Sequence, residues 1–317
     1  MSFKTLRNKY LIANVFLIII CHLFYNSKGL AVEGKIIVKV ENEIITNLDI
    51  NNEEIYLKIL NPNLTNIDKQ SLYMIAKNSL IREKIKIAEI SKHKLNEVDD
   101  KYLENVVNSI YSKIGIKNKQ DFISYIESYG LNLSTLKEKL TYEALWNQLI
   151  YRKYFTKVKI DTDKIKQDIL ISNNNKTKSY LLSEIVYSVD KKDQRKIIEK
   201  KIEESIKNNG FENTASIFSI SESSKTGGKL GWIDESSINT EIKEKIINLN
   251  IGEITSPIVV PGGFLILKIE NKKEIKNKID IETELEKRIL FLQNAQLNQF
   301  SNIYFMKIKK DFLIDEK

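Results

Sequence analysis

Apolar positions along the chain change period once, and that change organises everything else. Up to about residue 171 they recur three and four apart, the spacing of helices that bury one face. The spacing predicts helices over Asn47–Leu60, stopped by Asn61-Pro62, and from Asp68 with Leu72, Ile75, Ala76, Leu80 and Ile81 on one side. Further helices follow over Val98–Ile114, with a stripe of Val98, Tyr102, Val106 and Ile110, and over Lys119–Tyr129. A longer one starts near Ser134 with Leu133, Leu136, Leu140 and Ala144, and another covers Asp161–Ile171. Gly115-Ile116, Gly130-Leu131 and Gly210-Phe211 each place glycine and then an apolar residue after a helical pattern, a C-terminal cap that folds the chain back on its last turn. Ahead of the helices, residues 35–46 form two β-branched runs around Glu41-Asn42-Glu43 and predict a hairpin.

The helical period fails in the polar, Asn-rich stretch 172–177, which marks a domain boundary. Beyond it strands and helices alternate. Strands are expected at Tyr180–Val189 and Leu230–Ile233, and helices at Asp193–Asn209, Ala215–Phe218 and Glu241–Leu249. A hairpin joins Ile254–Val260 to Phe264–Glu270 through Pro261-Gly262, the residues of a type II turn. After Lys276 a long helix runs to about Phe300, and Ile303–Ile314 adds a final strand. The fold class is therefore α+β: a helical part, 32–172, a linker, 173–177, an antiparallel-sheet domain, 178–275, and a C-terminal part, 276–317. The last helix is amphipathic, and its apolar face suits a return to the N-terminal helices.

The first nine residues are basic and lack acids, and an apolar run from Tyr10 to Tyr25 follows, with Gly29-Leu30-Ala31 as a small-residue cleavage site. This is the layout of a signal peptide over 1–31, and its apolar run is shorter than the roughly 20 residues of a membrane span. An uncleaved tether through 10–25 is the other reading. Cys21 follows Ile20, where a lipoprotein site requires a small residue. Four of the 50 lysines and arginines and none of the 42 acids lie in this leader, so the rest carries +4 instead of the +8 of the whole chain. The remaining charges are interleaved on helix faces, which points away from nucleic acid. The single cysteine also sits in the leader, so no disulfide framework applies. Of the two histidines, His22 and His93, neither falls in 178–275. A lone imidazole with no cysteine nearby makes no metal site, no His–Ser or Cys–His pair falls in 178–275, and no phosphate-binding glycine motif is seen.

Gly227-Gly228-Lys229-Leu230-Gly231-Trp232, then Gly252-Glu253-Ile254, then Gly263-Phe264-Leu265-Ile266-Leu267-Lys268, resemble the parvulin-type peptidyl-prolyl isomerase domain. With Leu80–Lys84, Ile126–Gly130 and Leu145–Leu149, nearly the whole chain after the leader is similar to SurA-type periplasmic chaperones. That resemblance implies a helical core of N-terminal helices plus a C-terminal helix, with one inserted parvulin domain. It also implies a periplasmic chaperone that binds unfolded polypeptides, above all outer-membrane barrel proteins, without cofactor or nucleic acid. The family's two histidines match Ser183 and Leu265, its Cys or Asp matches Ser221, and its pocket Met and Phe match Ile238 and Ile242. Trp232 and Phe264 are either peptide-contacting aromatics or plain core. Serines neither titrate near neutrality nor form an imidazole pair. No confident catalytic residue remains, and isomerase activity is expected to be weak or lost. The alternative is an active peptidyl-prolyl cis-trans isomerase assisting exported proteins.

Overall fold

A computed structural model of the chain describes residues 34–173, 177–189, 192–275 and 280–317. The expected signal peptide, most of the linker and the junction after Ile275 lie outside the described residues. A short hairpin opens the structure, β1 (Ile36–Val40) and β2 (Glu43–Thr46). Six helices follow: α1 (Asn47–Leu60), α2 (Lys69–Lys92), α3 (Asp100–Lys113), α4 (Lys119–Ser128), α5 (Leu133–Tyr154) and α6 (Thr162–Asn173). Their starts are written in the sequence. Thr46 and Asp49 form a reciprocal capping box on α1, and Asp68, Asp99, Asn118 and Asn132 cap the next four helices with side-chain oxygens. The N–H groups of Ile116 and Leu131 reach back to Tyr111 and Ile126 and close α3 and α4.

The second part is a sheet of order β4-β3-β6-β5, built from β3 (Thr177–Tyr187), β4 (Lys229–Asp234), β5 (Ile258–Val260) and β6 (Gly263–Ile275). Helix α7 (Arg195–Phe218) follows β3, and the short α8 (Thr240–Ile246) follows β4. Gly210 interrupts α7 with φ of 79° and ψ of 167°, so a second helical segment starts at Phe211, earlier than the expected Ala215. The expected strand Ile254–Val260 shortens to β5. Ile254 makes one isolated bridge to Lys268, and Pro257, with no N–H to donate, falls between the two pieces.

Helix α9 (Ile281–Lys309) closes the chain with β7 (Ile314–Glu316). The sequence reading of Ile303–Ile314 as a strand is corrected here. Ser301, Tyr304, Phe305 and Ile308 are buried at helical spacing, and burying them on one face carries the helix to Lys309. On α3 the buried stripe is also shifted. Leu103 and Val107 face inward, Val106 and Ile110 flank them, and Tyr102 is 47% exposed. Strand β7 pairs antiparallel with β1, giving a sheet of order β2-β1-β7. One core thus joins Val38, Val40 and Ile45 of the hairpin, the faces of α1 to α5, and Tyr304, Phe305 and Ile308 of α9. Trp146 lies fully buried within it. Its indole N–H donates to Ser301 Oγ at 2.8 Å, and its ring stacks on Tyr304.

Candidate functional site

Antiparallel register decides which side chains of the four-stranded sheet share a face, because directly opposed residues project to the same side. Glu184 and Val186 of β3 oppose Leu267 and Leu265 of β6, while Ser183, Ile185 and Tyr187 oppose Lys268, Ile266 and Phe264. The sheet therefore has two distinct sides. One carries Tyr180, Leu182, Val186, Ile233, Leu265 and Leu267, with Ile238 and Ile242 packed against it from the α8 side. The other carries Ile185, Tyr187 and Ile266 beneath α7.

The candidate residues divide between these faces. Leu265, Ile238 and Ile242 come together, and Ser221 reaches the same side. Ser183 does not: it is fully buried on the α7 face, and its hydroxyl has no partner among the described residues. Phe264 stacks on Tyr187 with ring centres 5.4 Å apart and carries the Arg195 guanidinium 4.2 Å above it. Trp232 opposes Leu181, while its neighbour Ile233 enters the Leu265 cluster, so the indole points away from the pocket and lies under the Lys273 ammonium at 4.1 Å.

The polar group that shares Leu265's face is Glu184, which stands where the resemblance implied Ser183. Its Oε1 accepts from Ser221 Oγ at 2.6 Å and from Ser223 Oγ at 2.8 Å, and the two hydroxyls are 3.2 Å apart. Burial pushes this carboxyl above its ordinary range, and the two serine hydrogen bonds hold it partly down. Neither Glu184 nor Ser223 is among the candidates read from the sequence. The available signal was alternation: an acid inside the apolar run Tyr180–Val186 lies in phase with Leu182 and Val186, and Ser183 lies out of phase.

Loop 219–228 delivers the two serines and is fastened on both sides. Towards the sheet, Val186 N–H donates to Ser219 Oγ at 3.0 Å, Ile220 N–H to Val186 O at 2.7 Å, and Glu184 N–H to Gly228 O at 2.8 Å. Gly228 is required there, since a Cβ would stand 2.2 Å from the Glu184 carbonyl oxygen. Towards the helices, Arg82 of α2 donates to Ile220 O at 3.0 Å. Four charges then close a ring. Lys86 of α2 contacts Glu143 of α5 at 3.2 Å and Glu222 of the loop at 2.5 Å, and Lys225 of the loop contacts Glu222 at 3.3 Å and also Glu143. Burial alone would raise the Glu222 carboxyl, yet the Lys86 and Lys225 ammonium groups and Arg82 hold it well below its usual range. Burial would lower Lys225, yet Glu143 and Glu222 keep it well above.

Beside this ring a cleft of about 540 Å³ separates the helical core from the sheet domain. Leu57, Leu64, Ile75 and Ile81 line one wall and Ile217, Phe218 and Ile220 the other. Phe305 and Met306 of α9 lie at its end, and Arg82, Lys309 and Lys310 add positive charge. No group of three or more metal-ligating side chains occurs among the described residues. No described helix is long and apolar enough to cross a membrane.

The rotamase family, described as the PPIC-type PPIASE domain, matches residues 179–271. The chain is 21% identical over 291 residues to Chaperone SurA of Pseudomonas aeruginosa, covering 87% of this chain and 69% of that protein. Against Chaperone SurA of Hydrogenovibrio crunogenus it is 24% identical over 239 residues, covering 70% and 52%. Against that of Idiomarina loihiensis it is 25% identical over 186 residues, covering 56% and 43%. Beyond the first of these, the chain spans about half the length of the chaperones it matches. Among solved structures, a PpiC-type peptidyl-prolyl cis-trans isomerase domain is 29% identical over 31% of this chain and 94% of its own, with a TM-score of 0.28. A structure from the study of PEB4 and Cj1289, two SurA-like chaperones of Campylobacter jejuni, is 17% identical over 89% and 98%, with a TM-score of 0.35. The chain is thus similar to SurA-type chaperones and carries a parvulin-type domain.

Proposed function

We propose that this protein is a periplasmic chaperone that holds unfolded outer-membrane barrel polypeptides in the cleft between its helical core and its parvulin-type domain. The observation that carries this reading is the cleft itself: a trough in which apolar side chains from both parts stand among serines, with several lysines and Arg82 around them. Barrel strands alternate apolar and polar residues and expose unpaired edges before insertion, so they aggregate unless an apolar surface covers them. A trough without chemistry suits that task, because client sequences differ and release must remain possible. Residues 1–31 would direct export and be removed. The test is the affinity of the leaderless protein for a urea-denatured porin diluted into buffer. Substituting Met306, half-buried at the end of the cleft, by aspartate is expected to weaken binding about tenfold. Unchanged affinity would move the client site elsewhere.

Turning an X-Pro amide crosses a barrier of about 18–20 kcal/mol. In this domain the pocket side offers Leu265 and Glu184 in place of an imidazole pair. We expect proline exchange in short peptides to proceed at the uncatalysed rate when followed by NMR. One observation favours the second reading, an active isomerase: the Glu184–Ser221–Ser223 cluster keeps a polar group beside the apolar patch. A rate clearly above background that Glu184→Ala removes would establish it.

A further inference from the structure

The cleft between the helical core and the sheet domain is charged unlike the chain as a whole. Four cationic side chains line it, Arg82, Lys225, Lys309 and Lys310, against one acid, Glu316, whereas the full sequence carries 50 basic and 42 acidic residues. Glu316 is taken by Lys77 at 2.6 Å, and Lys225 by Glu143 and Glu222. Arg82, Lys309 and Lys310 make no ion pair among the described residues. Arg82 donates to Ile220 O and lies 5.4 Å from the centre of the Phe305 ring. Lysines in the last turn of α9 suit the negative end of its dipole. That accounts for their place along the helix, but not for their side chains lining the cleft. Their spacing adds a measure. Phe305 and Met306 line the cleft one turn before Lys309 and Lys310, four residues earlier in each case. Four residues of helix rise about 6 Å, so each lysine starts about 6 Å beyond an apolar contact on the same face. Two residues of extended chain span about 6.6 Å and put both side chains on one side.

We infer that the cleft takes extended polypeptide in which an apolar residue and an acidic one stand two positions apart, the apolar side chain resting on Phe305 and Met306 and the carboxylate meeting Lys309 and Lys310. The inference rests on the reading that the cleft holds unfolded chains. An acid directly next to the apolar residue points to the opposite side of the strand, so it turns away from the lysines while its neighbour stays on Phe305. A lysine or arginine at the second position meets like charge, and the one acid of the lining is already paired. Along a barrel strand an apolar-x-acidic pair falls at an end of the apolar band, where the lipid-facing side gives way to water. The two lysines thus select the border of that band as well as its apolarity.

The test uses the full chain after removal of 1–31, labelled at methionine methyl groups. Met74 and Met306 are then its only methionines, and Met306 lines the cleft, so its methyl shift reports occupancy. Three peptides are capped at both ends, which leaves side chains as the only source of carboxylate. They are Ser-Phe-Ser-Glu-Ser-Phe-Ser-Glu-Ser, its isomer Ser-Phe-Glu-Ser-Ser-Phe-Glu-Ser-Ser, and the first with Gln in place of Glu. The two acidic peptides share composition and charge, so general attraction to a basic protein cancels between them. The first should bind about fivefold more tightly than its isomer, the scale of exposed charge pairs, and the Gln peptide no better than the isomer. Lys309→Gln with Lys310→Gln should bring the isomer ratio to about one. Both lysines are exposed, so the double variant keeps its fold. In the unsubstituted protein, raising salt to about 0.5 M should shrink the ratio. Equal affinities for the two isomers, with Met306 shifting, overturn the inference and leave the cleft as a polypeptide site. A ratio that survives the double substitution overturns the role of the lysines. No shift of Met306 with any peptide overturns the inference and the cleft reading together.

Discussion

Replacing Lys86 by methionine should destabilise the protein by about 3–5 kcal/mol, the cost of removing one partner from a buried charge network while the others stay. The Lys86 side chain is only 4% exposed and touches both acids of the ring. Without it Glu143 and Glu222 keep Lys225 alone between them, and both carboxylates lose a hydrogen-bond donor. The Lys86 ammonium also lies 5.3 Å from the centre of the Trp146 ring, so its loss reaches the core. The pH dependence has a definite sign. Glu222 is held below the ordinary carboxyl value of 4.5, so its contribution is complete above that pH and disappears as the pH falls towards its depressed value. Urea denaturation should therefore separate the Lys86→Met protein from its parent most widely near neutrality, and the two should converge in acid. A constant difference from pH 7 down to pH 3 would assign the loss to packing.

Trp146→Ala is expected to cost a similar 3–5 kcal/mol, the range for removing a large aromatic side chain from a packed core. The ring fills the centre of the helical core between α5 and α9, and no neighbour there can collapse without moving α9. Trp146→Phe separates the two contributions, since it restores most of the volume but leaves Ser301 Oγ without its donor, at about 1–3 kcal/mol. The only other tryptophan is Trp232 of the sheet domain. Its fluorescence in either variant reports that domain, while circular dichroism reports the helices. If Trp232 keeps its midpoint as the helical signal shifts, the core unfolds independently of the sheet domain. A common shift would show that the ion-pair ring couples the two.

Much of the fold was legible because it depends on period and punctuation. Capping residues, the apolar stripes of α2 and α5, and the strand at Tyr180 can all be read from neighbours in sequence. Leu265, Ile238 and Ile242 came from the family resemblance and not from period, and the structure brings them to one face. Glu184 was missed by a one-residue step, and in a strand such a step turns a side chain to the opposite face. Trp232 and Phe264 stayed open between peptide contact and plain core, because the glycine-rich motifs fix backbone turns without stating which face a side chain takes. The ion-pair ring was illegible for a different reason. Its members, Lys86, Glu143, Glu222 and Lys225, come from three distant segments, and each resembles the surface lysines and glutamates that surround it. The same holds for the end of α9, where an apolar run suits strand or helix until its burial partners are known.

The pairing of β1 with β7 has a consequence for how the molecule is made. The hairpin at residues 36–46 cannot receive its third strand until residue 316 has been synthesised, and the α9 side chains beneath it arrive only shortly before. The sheet domain, complete by residue 275, can form while the hairpin still waits. Synthesis runs from the N-terminus, but assembly finishes with the hairpin and β7 together, so contacts of large sequence separation set the pace of folding. Until that moment the apolar faces of the helical core remain an open surface, and the last segment to be made is the one that closes it.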